Sequence, residues 1–92
     1  LVRQKLPDTQ LWIIGDGPLR KRLVAMAREK GVADAVTFTG VVSETEKINC
    51  LWQSTLFTMP SLQEGFGAVL LEAMACELPI VAFDLPVYRE WF

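Results

Sequence analysis

The sequence predicts an α/β domain of three layers, a parallel sheet of about four strands with helices on both of its faces. Three observations carry the expectation. Four short apolar runs alternate with longer segments in which apolar residues recur at helical spacing. Glycine or proline punctuates the runs, at Gly15, Gly40, Pro60 and Pro79. Strands that alternate with helices pair in parallel through right-handed crossovers, which sets helices on both sides of the sheet.

The first few residues, to Pro7, read as the end of a preceding helix. Leu11-Trp12-Ile13-Ile14 is a continuous apolar run closed by Gly15, the pattern of a strand covered on both faces. Asp16-Gly17-Pro18 then starts a helix, since proline suits the first helical position, and Leu19, Leu23, Met26 and Ala27 share one face. Gly31 ends it as the residue after the C-cap. Arg20, Lys21 and Arg22 fall in its first turn, where the helix dipole does not favour cations. They read as a solvated outer face, with phosphate binding as the alternative.

Val36-Thr37-Phe38-Thr39 is a second strand, stopped by Gly40. Ser43 and Glu46 have the spacing of a capping box, followed by an apolar stripe of Ile48, Leu51 and Trp52. Leu56-Phe57-Thr58-Met59 is a third strand ended by Pro60. A loop over residues 61–67, a helix to about Cys76 and a fourth strand at Ile80-Val81-Ala82-Phe83 follow. The tail starts one more helix, with Tyr88, Trp91 and Phe92 facing inward. In Rossmann-like sheets of this kind ligands bind at the carboxyl ends of the strands. The loops to search are residues 15–18, 40–43, 61–67 and 84–88.

Composition narrows the function classes. A chain of 92 residues is at most one domain, burying roughly 60–70% of its unfolded surface. The formal net charge of −2 gives no overall attraction to nucleic acid or to an anionic membrane. The charge is uneven: residues 1–30 hold seven basic and three acidic side chains, residues 31–92 two basic and eight acidic. No apolar run reaches the roughly 18 residues of a transmembrane helix. The first residue is not Met, which suggests a piece of something longer. Cys50 and Cys76 form no C-x-x-C pair and read as buried reduced thiols of a cytosolic protein. Histidine is absent, so imidazole bases, Cys-His or Ser-His nucleophiles and His-ligated metals are excluded within this chain. No acidic cluster makes a metal site.

The residues that carry chemistry lie between Glu64 and Glu72, two carboxylates separated by seven residues. Gly65 and Gly67 let backbone amides approach a ligand, and a helix starting near Gly67 leaves its first N–H groups unpaired, an anion cradle. Glu72 is the one charged residue between Ala68 and Cys76, so its helix is expected to be largely buried. Side chains on a helix lean toward the N-terminus, which tips Glu72 back toward the glycine turn. Three readings stay open at this level: a structural carboxylate held by a loop amide or a basic side chain, a binder of ligand hydroxyls, or half of an acid-base pair. Gly15 and Gly17 line a candidate cleft, although Arg20 stands where G-x-G-x-x-G needs its third glycine, which argues against NAD binding.

Glu64-Gly65-Phe66-Gly67, then Glu72-Ala73-Met74-Ala75-Cys76, then Pro79-Ile80-Val81-Ala82 resemble the C-terminal domain of the GT-B glycosyltransferases of family 4, also called group 1. Ile14-Gly15-Asp16-Gly17-Pro18 and residues 36–40 fit the same family, so the resemblance runs from about residue 11 to residue 90. It implies a donor-binding domain of a retaining hexosyltransferase that uses a UDP- or GDP-sugar as substrate, without a cofactor or an obligatory metal. It implies donor-sugar contacts at Glu64, Gly65, Phe66 and Gly67, ribose contacts at Glu72, and a diphosphate cradle at Gly67, Ala68, Val69 and Leu70. Gly40, Val41 and Val42 would border the nucleobase. No residue is assigned as catalytic.

The resemblance is incomplete in places. Glu77 stands where the family has glycine, and Leu85-Pro86-Val87-Tyr88-Arg89 replaces its paired-glycine loop ahead of Glu90. By the resemblance, the family's first C-domain strand, with the Arg and Lys that neutralise the diphosphate, and its acceptor-binding N-terminal domain are expected to lie outside these 92 residues. The fragment alone is therefore expected to be inactive. Since the missing strand is the central one, the remaining strands split into two pairs. A folded fragment is expected to close the gap, in order 2-1-3-4, or to complete its sheet as a homodimer. A cytoplasmic location follows by resemblance, with the parent protein peripheral to the inner face of the membrane. The runner-up reading is a non-catalytic α/β module that binds a nucleotide or a protein.

Overall fold

A computed structural model describes residues 1–62 and 67–91, and of Trp91 its place in a helix. The fold is mixed α/β, and the chain divides into two compact units, Leu1–Ser43 and Glu44–Phe92. Each contains one pair of parallel strands joined through a helix.

In the first unit a single turn, α1 (Val2–Lys5), precedes β1 (Leu11–Ile14), α2 (Arg20–Glu29), a 3-10 turn at Ala33–Ala35 and β2 (Val36–Gly40). Leu11 pairs with Val36, Trp12 with Thr37, Ile13 with Phe38 and Ile14 with Gly40. Thr39 is the extra residue at the slip. Its hydroxyl donates to the carbonyl of Gly40 at 2.9 Å, while Gly15 N–H donates to the same carbonyl at 3.0 Å. The carboxyl ends of both strands are thereby tied together at two glycines with positive φ, 109° at Gly15 and 70° at Gly40.

Helix α2 starts later than its proline suggests. Leu19, at φ −92° and ψ 2°, lies off the helical region, so Pro18 and Leu19 form a turn and the helix begins at Arg20. It ends as expected at Gly31: Val32 N–H reaches Ala27 O at 2.9 Å and Gly31 N–H reaches Arg28 O at 3.0 Å, a Schellman motif. Ala27 is buried, whereas Leu19, Leu23 and Met26 of the same stripe are partly exposed. Strand β1 departs from expectation in the same way, with Leu11 and Trp12 exposed and only Ile13 and Ile14 half-buried.

The second unit runs α3 (Glu44–Gln53), β3 (Phe57–Met59), α4 (Ala68–Ala75), β4 (Ile80–Ala82) and α5 (Pro86–Trp91). Helix α3 starts directly after Ser43, where the capping-box spacing puts it. Phe57 pairs with Ile80, Thr58 with Val81 and Met59 with Ala82. The core of the unit is Leu51, Leu70, Ala73 and Tyr88, one or two residues from each of three helices. Trp52 was expected on the inner stripe of α3 but is 66% exposed. Cys50 and Cys76 are free and half-buried, so neither is the fully enclosed thiol that their apolar contexts suggest.

Among the described residues the strands pair as β1-β2 in the first unit and β3-β4 in the second, the expected split into two pairs.

Candidate functional site

Within the second unit the loops after β3 and β4 leave the same end of the strand pair and lead to α4 and α5. Gly67 caps α4 with φ 85° and ψ 42°, the left-handed region, and among the described residues no side chain caps this helix end. A Cβ at Gly67 would stand 2.7 Å from Tyr88 Cε1, so the ring of α5 fills the space that any other residue would need. Leu70 N–H donates to Gly67 O at 2.9 Å and closes the first turn. Gly67 is therefore required for its backbone angle and again for its missing side chain.

One turn further along α4, Glu72 meets Lys47 of α3. Lys47 Nζ donates to Glu72 Oε1 at 3.2 Å and stands 2.9 Å from Oε2. Oε2 is itself buried and takes the ammonium as a close ion pair without an aligned hydrogen bond. Lys47 also donates to Glu44 Oε1 at 3.2 Å, with Oε2 at 2.9 Å. Hydrogen bonds to Glu44, and then to Glu72, raise the Lys47 pKa above its ordinary value of 10.5. The side chains of Lys47 and Glu72 are 21% and 32% exposed, so the pair is sheltered without being enclosed.

A basic side chain from α3 thus holds Glu72, the partner that its structural reading calls for. One expectation is corrected: helix α4 is not largely buried. Leu70 and Ala73 face the core, and Leu71 and Met74 are about half exposed. A single buried stripe is enough for a helix that covers one strand pair. Lys47 escaped the sequence reading because it lies 25 residues from Glu72. The available signal was its rarity, as one of two basic residues after Lys30.

The second of those residues, Arg89, donates from Nε to Asp84 Oδ1 at 2.6 Å and from a terminal nitrogen to Asp84 Oδ2. The guanidinium lowers the Asp84 pKa below the usual carboxylate range. This ion pair fixes the first turn of α5, where Tyr88 sits. Leu85, Pro86 and Val87 leave Tyr88 N–H bonded to Leu85 O at 3.0 Å.

In the first unit Gly15 and Gly17 line an open pocket of about 290 Å³ together with Ile13, Leu19, Arg20 and Phe38. Asp16 Oδ1 accepts from Gly17 N–H at 2.7 Å, and Arg20 donates to Phe38 O at 3.4 Å. Arg20 thus folds over the end of β2 instead of pointing only into solvent. Gly40 closes β2, and Val41 beyond it is exposed. Ala68, Val69 and Leu70 form the first turn of α4. The expected sugar contacts Glu64, Gly65 and Phe66 lie outside the described residues, as do Phe92 and the side chain of Trp91. Among the described residues no cluster of three or more His, Cys, Asp or Glu could hold a metal ion, and no helix is long and apolar enough to cross a membrane.

Comparison with known proteins adds a family. Residues 1–92 match the family model described as Glycosyl transferases group 1. The chain is 39% identical over 88 residues to the GDP-mannose-dependent alpha-(1-6)-phosphatidylinositol monomannoside mannosyltransferase of Mycolicibacterium smegmatis, covering 88% of this chain and 23% of that protein. It is 37% identical over 78 residues to the alpha-D-kanosaminyltransferase of Streptomyces kanamyceticus, covering 85% and 20%. To the D-inositol 3-phosphate glycosyltransferase of Mycobacterium sp. (strain KMS) it is 37% identical over 84 residues, covering 85% and 19%. The chain spans about a fifth to a quarter of the length of these curated relatives.

Proposed function

The chain belongs to the group 1 glycosyl transferases, and from that premise we propose that it contributes the donor-binding part of a retaining enzyme that transfers a sugar from a nucleotide diphosphate. The observation that carries the reading is the spacing along α4 between a helix start at Gly67, a residue with no side chain to cap it, and a partly exposed Glu72. A helix start of this kind suits the diphosphate, and a carboxylate one turn on suits the ribose hydroxyls. Glu64 is assigned to the donor sugar by the same reading.

Transfer by the 92-residue chain alone is not expected. The second unit has two cations, Lys47 and Arg89, and carboxylates of the same unit hold both. A leaving diphosphate would find no unengaged cation there.

A second reading has an observation in its favour. Because Lys47 already pairs with Glu72, the carboxylate can serve purely to join α3 and α4, in a module that performs no transfer. Calorimetric titration with UDP, GDP and their sugars, wild type against Glu72→Ala, separates the two. Donor binding that the substitution weakens at least tenfold, while the variant stays folded, supports the first reading. Equal binding by both proteins, or by neither, overturns it.

A further inference from the structure

We propose that Lys47 is a positioning residue for nucleotide binding, orienting the Glu72 carboxylate toward ribose hydroxyls and offsetting its charge beside the diphosphate. The inference rests on the reading of Glu72 as a hydroxyl acceptor and adds a residue that the reading does not contain. Its basis is geometric. A free glutamate side chain has three rotatable bonds and would meet a ligand in many orientations. In this chain Nζ reaches both oxygens, at 3.2 Å and 2.9 Å, from a neighbouring helix, which holds the carboxylate plane in place.

The ammonium does not exhaust the carboxylate. An ionised carboxylate offers about four acceptor directions. Nζ donates to Oε1, which keeps a second acceptor direction, and lies 2.9 Å from the buried Oε2, which takes no hydrogen bond. The ammonium anchors the group through Oε1, and a side chain 32% exposed still has acceptor capacity for a hydroxyl. Glu44 completes the device from the far side: it holds the same ammonium at 2.9 Å, so Lys47 is itself confined before any ligand arrives. Electrostatics points the same way. A bare carboxylate would repel a diphosphate bound at the start of its own helix, and a cation at 2.9 Å, shared with the more exposed Glu44, reduces that repulsion.

The test uses the 92-residue chain and four probes, UDP, GDP and their 2′,3′-dideoxy counterparts, titrated by calorimetry. Variants are Lys47→Met, Lys47→Arg, Glu72→Gln and the double variant Lys47→Met/Glu72→Gln, with thermal unfolding to show that each is folded. Lys47→Gln is read in the same way if the methionine variant unfolds. For the nucleotide that binds, Lys47→Met is expected to weaken affinity about tenfold and to bring the ribo and dideoxy forms to nearly equal affinity. Lys47→Arg is expected to stay within about threefold of wild type, and Lys47→Met to add no further loss in the Glu72→Gln background. A helix-joining role alone would lower the unfolding temperature and leave the ribo-to-dideoxy ratio unchanged. If Glu72→Gln weakens binding while Lys47→Met binds as wild type or tighter, the inference is overturned and the donor reading stands. If wild type does not distinguish ribo from dideoxy forms, or binds neither nucleotide, the donor reading itself falls.

Discussion

Lys47 Nζ on α3 stands 2.9 Å from Glu72 Oε2 on α4, and this contact joins the helices that precede and follow β3. Its energetic signature lies at alkaline pH. Glu44 and Glu72 raise the folded-state pKa of Lys47 above the ordinary 10.5. A group raised on folding contributes stability that is fully present below its unfolded value and is lost as pH rises through the folded value. Urea midpoints of wild type and Lys47→Met should therefore differ at neutral pH and converge as pH climbs beyond about 10.5. A constant gap across that range would show that the lysine acts by packing alone.

Gly67→Ala tests how strictly the start of α4 is built. The substitution forces an L-residue to φ 85° and brings its Cβ to 2.7 Å from Tyr88 Cε1. The left-handed angle and the overpacking together should cost about 2–4 kcal/mol. Denaturant unfolding measures the loss. Adding Tyr88→Val should make the pair less than additive, because the smaller side chain removes the clash but not the backbone strain. Additive losses would place the whole cost in the backbone.

At acid pH the Asp84–Arg89 pair takes over. The guanidinium lowers the Asp84 pKa in the folded state, so this contribution is present above the unfolded value and disappears as pH falls through the folded one. Carboxyl NMR should find the Asp84 midpoint below the ordinary aspartate value of about 3.9, and Arg89→Gln should return it there. Both groups are well exposed, and salt should shrink the shift. An Asp84 midpoint that Arg89→Gln leaves in place would dissociate the pair.

What was legible in the sequence was local. Gly31 and Gly40 mark ends because a left-handed φ of 70° is a property of a single residue and its neighbours. The alternation of strand and helix follows from runs of a few residues, and both β-helix-β units appear where those runs place them. The partner of Glu72 was not legible, because Lys47 meets it only after α3 and α4 come together, and nothing in the spacing of a single helix encodes that meeting. Inward faces were misjudged for a related reason. Leu19, Leu23 and Trp52 have helical periodicity but remain exposed, since periodicity says which residues share a face and not what covers it.

Glu77 gives the last prediction, and α2 supplies its control. Both α2 and α4 end in the same motif: Val32 N–H to Ala27 O at 2.9 Å in one, Leu78 N–H to Ala73 O at 3.1 Å in the other. The residue that turns the chain is Gly31, at φ 70°, in the first case and Glu77, at φ 59°, in the second. Glutamate at this angle carries a left-handed penalty of about 1–2 kcal/mol, partly offset because glycine would loosen the unfolded chain by up to about 1 kcal/mol. Glu77→Gly should therefore stabilise the protein by about 0.5–1 kcal/mol. Gly31→Ala, the reverse exchange at the equivalent position, should cost about 1 kcal/mol or more. Chemical denaturation of both variants decides the matter. A destabilised Glu77→Gly would mean that the glutamate side chain makes a contact worth more than the strain of its backbone.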